Sequence, residues 1–161
     1  MGREPGVIGA ALDDRDLWPS LIVDLFHVSA PSLRVALAAR GWERTILTTD
    51  AMSTVGSDIP GFMLGDRAIT RANGRLTTAD GTLAGSDLDM ATAVRNTVDT
   101  LGLSLEAALH MASAAPAGFL GLERELGRIA PGFRASLVLL DDALRVTATW
   151  IDGVANERVA A

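Results

Sequence analysis

No cysteine occurs anywhere in the 161 residues. That absence excludes a disulfide framework, a thiolate nucleophile and a Cys-ligated zinc together. Histidine is scarce too, with His27 and His110 as the only 2 copies, too few for a three-histidine zinc site. No apolar run approaches the length of a membrane span, and Met1-Gly2-Arg3-Glu4-Pro5-Gly6 lacks the apolar core of a signal peptide. A cytoplasmic home is therefore expected. Clusters of Lys or Arg are missing, and the net charge is -6. Nucleic acid and anionic membrane are thus not expected as partners, which leaves a small anionic ligand held by one or two placed arginines. What is present is apolar: 48% of the residues are hydrophobic, enough for a chain of this length to bury a core.

Taken in order, residues 1–16 are rich in Gly, Pro and Asp and read as a loop, with Ala10, Ala11 and Leu12 as their compact apolar patch. Leu21-Ile22-Val23-Asp24 is a short apolar run ending in an acid, the pattern of a buried parallel strand, with His27 just past its exit. Pro31 at a helix start, Leu33, Val35, Ala36, Leu37 and Ala39, then Gly41, predict a short helix. Ile46-Leu47-Thr48-Thr49 is the next strand, since β-branched side chains favour extended backbone. Leu21 to Asp50 therefore reads as one β-α-β unit. Phe62–Leu64, Ala68–Arg71 and Arg75–Thr78 follow as short extended segments, and Asn73-Gly74 between the last two is a strong hairpin signal. An inserted antiparallel sheet near 62–78 is expected.

Asp80-Gly81-Thr82-Leu83-Ala84-Gly85-Ser86 reads as a loop whose Ser86 caps a helix carrying Leu88, Ala91, Val94, Val98 and Leu101. Ser104 can cap the next helix, with Leu105, Ala108, Leu109 and Ala112 on one face until Pro116. A turn-rich stretch over 122–132 precedes two strands, Leu137–Leu140 and Val146–Ile151. A lone β-α-β unit leaves parallel strands with open edges, so this order reads as the later part of a larger sheet or barrel.

Asp50 is the residue on which chemistry centres. It stands at the carboxyl end of a strand, where parallel α/β barrels build their active sites, although an Asp in that place also serves simply to start a turn. His110, Trp18, Trp42 and Trp150 read as surface or packing residues, and Asp141-Asp142 as a turn between strands.

Several words of the sequence point further. They are Arg3-Glu4-Pro5-Gly6 with Gly9-Ala10, Asp24 with His27-Val28, Thr48-Thr49-Asp50-Ala51-Met52, Asp80-Gly81-Thr82-Leu83-Ala84-Gly85-Ser86, and Arg95-Asn96. Met111-Ala112-Ser113 with Pro116-Ala117, and Gly127 with Ile129-Ala130-Pro131-Gly132, follow. In that order they resemble the carboxyl-terminal part of the N-acetylglucosamine-6-phosphate deacetylase family of the amidohydrolase superfamily. The resemblance implies an α/β fold: a partial (β/α) TIM-type barrel over 1–121, comprising its last strands and helices, and part of a small β-rich second domain over 122–161. It also implies a divalent metal, zinc or iron, whose glutamate and histidine ligands lie upstream of this sequence. Neither His27 nor His110 matches a ligand position, so no metal ligand is assigned here.

By the same resemblance Asp50 corresponds to the catalytic aspartate, general base toward the attacking water and then general acid toward the departing amine. His27 corresponds to a substrate-binding histidine, Arg3 to an arginine gripping the sugar phosphate, and Leu83, Ala84 and Gly85 to a loop closing over the sugar. The implied reaction is hydrolysis of N-acetylglucosamine 6-phosphate to glucosamine 6-phosphate and acetate, in a homodimer or with a missing amino-terminal half as partner. Two alternatives stand beside it: a catalytically silent module binding a sugar phosphate or partner subunit, and an amidohydrolase with another amide substrate. Leu25 and Phe26 follow Asp24 where the family usually has a glycine, Ser29 stands where some relatives carry a second histidine, and Ser136 replaces a common aspartate.

Overall fold

The computed structural model describes residues 3–156. Met1 and Gly2 of the expected opening loop, and 157–161 of the expected β-rich part, lie outside the described residues. The chain runs α1 (Gly6–Asp13), β1 (Ser20–Ile22), α2 (Ala30–Arg40), β2 (Ile46–Thr48), β3 (Gly61–Leu64), β4 (Arg67–Ala72), β5 (Arg75–Thr77) and β6 (Leu83–Ser86). It continues through α3 (Met90–Asp99), α4 (Leu105–Ala112), α5 (Ala114–Phe119), β7 (Leu137–Leu140), β8 (Val146–Ile151) and β9 (Val154–Ala155).

The β-α-β unit forms as its pattern predicts: β1 and β2 pair in parallel, with Ser20, Leu21 and Ile22 opposite Ile46, Leu47 and Thr48. Pro31 lies in the first turn of α2, and Gly41 ends it at φ 77. The core packs around these strands. Val23, Leu33, Leu37 and Leu47 are buried together with Leu88, Ala93 and Val94 from the α3 side and Ala108 and Met111 from α4. The other side is open: Val7, Ile8 and Val35 on α1 and α2 are 87%, 76% and 65% exposed. The fold is mixed α/β, and the described residues form no closed barrel.

Beyond β2 lies a 4-stranded antiparallel sheet in the order β3-β4-β5-β6. Its central turn is the expected hairpin, because Asn73 and Gly74 both take positive φ, 52 and 73, the signature of a two-residue primed turn. A 3-stranded sheet, β7-β8-β9, closes the described chain.

The opening segment departs from the loop expected of it. Pro5 stands at the N-cap of a helix, where a missing N–H costs nothing, and Ala10, Ala11 and Leu12 are good helix formers. The segment 80–86 is likewise not all loop. Leu83–Ser86 is strand β6, antiparallel to β5, and its glycine marks a close backbone approach rather than a break. Ser86 consequently caps no helix; Asp89 does, accepting from Thr92 N. Ser104 caps α4 as predicted, accepting from Ala107 N. The buried face of that helix is different, however. Ala107, Ala108 and Met111 are buried while Leu105 and Leu109 stay 40% and 39% exposed, so the small residues let α4 lie close to its neighbours.

Candidate functional site

Asp50 and His27 come together at the carboxyl ends of β2 and β1. The His27 Nε2 atom lies 3.8 Å from Asp50 Oδ2, with the side chains 21% and 51% exposed. A parallel pair delivers both chain ends to one edge, so the pairing of Ile22 with Thr48 sets the loops bearing His27 and Asp50 side by side. Asp50 takes φ 54, a left-handed conformation that few side chains other than Asn and Asp tolerate. Its carbonyl accepts from Ser86 N at 2.8 Å, and Met52 N donates back to the Ser86 carbonyl at 3.0 Å. Ser86 Oγ adds a bond to the Thr49 carbonyl.

Those bonds explain the place of Leu83, Ala84 and Gly85. They form the last strand of the inserted sheet, whose end is stitched to the backbone around Asp50. Gly85 is required there: at φ 78 a Cβ would run into Met52 Cγ and lie 3.2 Å from the Asp50 carbonyl oxygen.

Asp24 is the residue that sequence reasoning did not single out for the site. It is buried, and its Oδ2 lies 2.7 Å from His27 Nδ1. Its Oδ1 accepts the Phe26 and His27 backbone N–H groups, each at 3.0 Å. Burial alone would raise the Asp24 carboxyl, but the His27 ring, the His27 and Phe26 amides and the histidine charge together hold it below the ordinary carboxylate value of 3.8. The i, i+3 spacing of Asp24 and His27 was the available signal. Within this turn Leu25 takes φ 67, which gives a physical reason for a glycine in the family pattern at that place.

A second cluster fixes the loop after Asp50. Asp87 accepts from Arg71 Nε at 2.6 Å and from Thr54 Oγ1 at 2.9 Å, while Arg71 Nη1 donates to the Ser57 carbonyl at 2.6 Å. At the same end of the inserted sheet, where Arg75 pairs with Ser86, Arg75 stacks over the Phe26 ring at 4.3 Å. One end of the insertion thus touches the loops carrying both His27 and Asp50.

Arg3 stands exposed ahead of α1, and no hydrogen bond or ion pair joins it to His27 or Asp50 among the described residues. His110 lies elsewhere, its Nε2 2.8 Å from the Glu43 carbonyl and its ring edge-on to Trp42. Trp18 packs under Arg44, and Asp141 closes a turn by accepting from Ala143 N and Arg145 N. Among the described residues no group of three or more His, Asp or Glu side chains could hold a metal ion. The described residues therefore do not by themselves make a complete metal centre.

Residues 28–155 match the family model described as the amidohydrolase family. The chain is 41% identical over 151 residues to a protein of Escherichia coli (strain K12) whose assignment as an N-acetylgalactosamine-6-phosphate deacetylase is itself provisional, covering 94% of this chain and 90% of that one. It is 44% identical over 151 residues to the N-acetylgalactosamine-6-phosphate deacetylase of Shewanella sp. (strain ANA-3), covering 94% of this chain and 38% of that one. Its fold matches, with a TM-score of 0.87 and 35% identity, that of a mutant N-acetyl-D-glucosamine-6-phosphate deacetylase of Mycobacterium smegmatis solved in complex with N-acetyl-D-glucosamine-6-phosphate. That match covers 96% of this chain and 42% of the other. The chain therefore spans about two fifths of the length of the larger deacetylases it matches. With a family match over most of its length and a relative of similar size at this identity, the chain belongs to the amidohydrolase family.

Proposed function

We propose that the chain supplies the acid–base part of a site that hydrolyses the acetamido group of an N-acetylhexosamine 6-phosphate. The reading rests on the 3.8 Å approach of His27 Nε2 to Asp50 Oδ2 at the strand ends. Water adds to the acetyl carbon as Asp50 takes its proton; the carbon–nitrogen bond then breaks and Asp50 returns the proton to the sugar nitrogen, leaving acetate and the free amine. In its imidazolium form His27 donates from Nε2 to the acetamido oxygen. Leu83, Ala84 and Gly85 line the sugar, and Arg3 grips the phosphate with its planar fork.

Amidohydrolases are generally metal-dependent, and zinc or iron would be held by ligands outside this sequence. The chain is then the later part of a (β/α) barrel, residues 1–121, with part of a β-rich domain in 122–161. It works as a homodimer or with an amino-terminal half. N-acetylglucosamine 6-phosphate is the expected substrate, supported by the sugar phosphate bound in the Mycobacterium smegmatis relative. The galacto epimer is the second reading, favoured by identities of 41% and 44% to N-acetylgalactosamine-6-phosphate deacetylases against 35% to that glucosamine enzyme.

Acetate release from both epimers tests the reading. The chain is assayed with added zinc, alone and co-expressed with an amino-terminal half from a relative. Asp50→Asn should lower kcat by at least about 100-fold, and Arg3→Ala should raise KM about 10-fold with kcat little changed. Retained turnover in the Asp50→Asn protein removes Asp50 from its role. Silence in every assembly, with sugar-phosphate binding by calorimetry, favours the non-catalytic module.

A further inference from the structure

We infer that Asp24 is a positioning residue of the site: it keeps a proton on His27 Nδ1 and so presents Nε2 to the ligand and to Asp50. Both Asp24 oxygens are committed to the histidine turn. Oδ1 accepts the Phe26 and His27 amides at 3.0 Å each, fixing the backbone, and Oδ2 meets Nδ1 at 2.7 Å, fixing the ring. The Asp24 side chain is 6% exposed, so little water competes for it. An ionised carboxylate has no proton to donate, so the proton shared with the imidazole belongs to Nδ1. Nε2 is then the ring atom left open. It accepts from a ligand in the neutral ring and donates to one in the imidazolium, and its neighbour in the structure is the Asp50 carboxylate.

The Leu25 backbone supports the assignment. A branched side chain sits at φ 67 inside this turn, a conformation it avoids elsewhere, and the two amide bonds to Oδ1 hold it there. A carboxylate that merely ended β1 would need neither the ring contact nor this geometry.

The Proposed function supplies the ligand in this inference, but the tautomer does not depend on turnover. Long-range proton–nitrogen correlation spectra of the whole chain, with His110→Gln to assign the signals, read the state of His27 at a pH where the ring is neutral. The expected spectrum has Nδ1 protonated and Nε2 bare. In Asp24→Ala, shown folded by its amide spectrum, the ring should revert to an Nε2–H or mixed population. A wild-type ring protonated on Nε2 overturns the inference, as does an unchanged tautomer in the folded variant. If Asp24→Ala does not fold, Asp24→Asn gives the same comparison, and the wild-type spectrum decides by itself. In an active assembly Asp24→Asn should lower kcat about 10-fold or more, as losses of histidine-orienting partners do. If Asp50→Asn leaves turnover intact while the Nδ1–H tautomer is found, the catalytic reading fails and this one stands.

Discussion

Removing the carboxylate of Asp87 tests whether the loop after Asp50 is held as the structure depicts. In Asp87→Ala the Arg71 guanidinium loses its 2.6 Å partner and Thr54 Oγ1 loses its 2.9 Å acceptor. Breaking a buried ion pair costs about 3–5 kcal/mol. Arg71 is 31% exposed, so water recovers part of that loss, leaving about 2 kcal/mol. Thr54 is fully buried, and its unpaired hydroxyl adds about 1 kcal/mol. The total of about 3 kcal/mol is a large share of the ~5–15 kcal/mol that holds a domain folded. With a urea slope of about 2 kcal/mol/M, the unfolding midpoint followed by circular dichroism should fall by about 1.5 M. A cycle with Arg71→Ala and the double variant should return a coupling of at least about 1 kcal/mol. Asp80→Ala serves as control: that exposed carboxylate also accepts local hydrogen bonds, and its removal should leave the midpoint in place. A shift below about 0.3 M, or additivity of Arg71 and Asp87, would refute the clamp.

Leu25→Gly should be more stable than Leu25→Ala, because alanine keeps the left-handed strain of about 1–2 kcal/mol while losing the same packing; equilibrium urea unfolding ranks the two. Gly85→Ala should destabilise by about 1–3 kcal/mol at φ 78 and displace Met52, read as a lower melting temperature and shifted Met52 methyl resonances. The Asp24 carboxyl lies below its ordinary 3.8 in the folded chain, so its contribution is complete above that value and is lost as the pH falls through the lowered one. Asp24→Asn should therefore flatten the acid limb of the stability profile and leave its alkaline limb unchanged, measured by urea midpoints across pH.

What the sequence made legible was local. The turn at Asn73-Gly74, the Ser104 cap and the β-α-β unit each depend on a few neighbouring residues, and each formed as read. β6 was not legible, because its partners are β5 and the backbone at Ala51, brought together only by tertiary folding. Helix α1 was hidden for a different reason: its Gly and Pro letters mark turns, and they mask the helix-forming run Ala10–Leu12. In the candidate site, strand ends exposed Asp50 and His27 to a reading of pattern, while the burial that binds Asp24 to His27 carries no signature beyond a three-residue spacing.

The stitch between Ser86 and the Asp50 carbonyl makes the inserted sheet and the Asp50 turn mechanically continuous. On the proposed function, pressure from a sugar ring on Leu83–Gly85 would be delivered straight into the peptide unit that aims the Asp50 carboxylate. On that reading the bound sugar would itself tighten the alignment of the carboxylate that draws the proton from the attacking water.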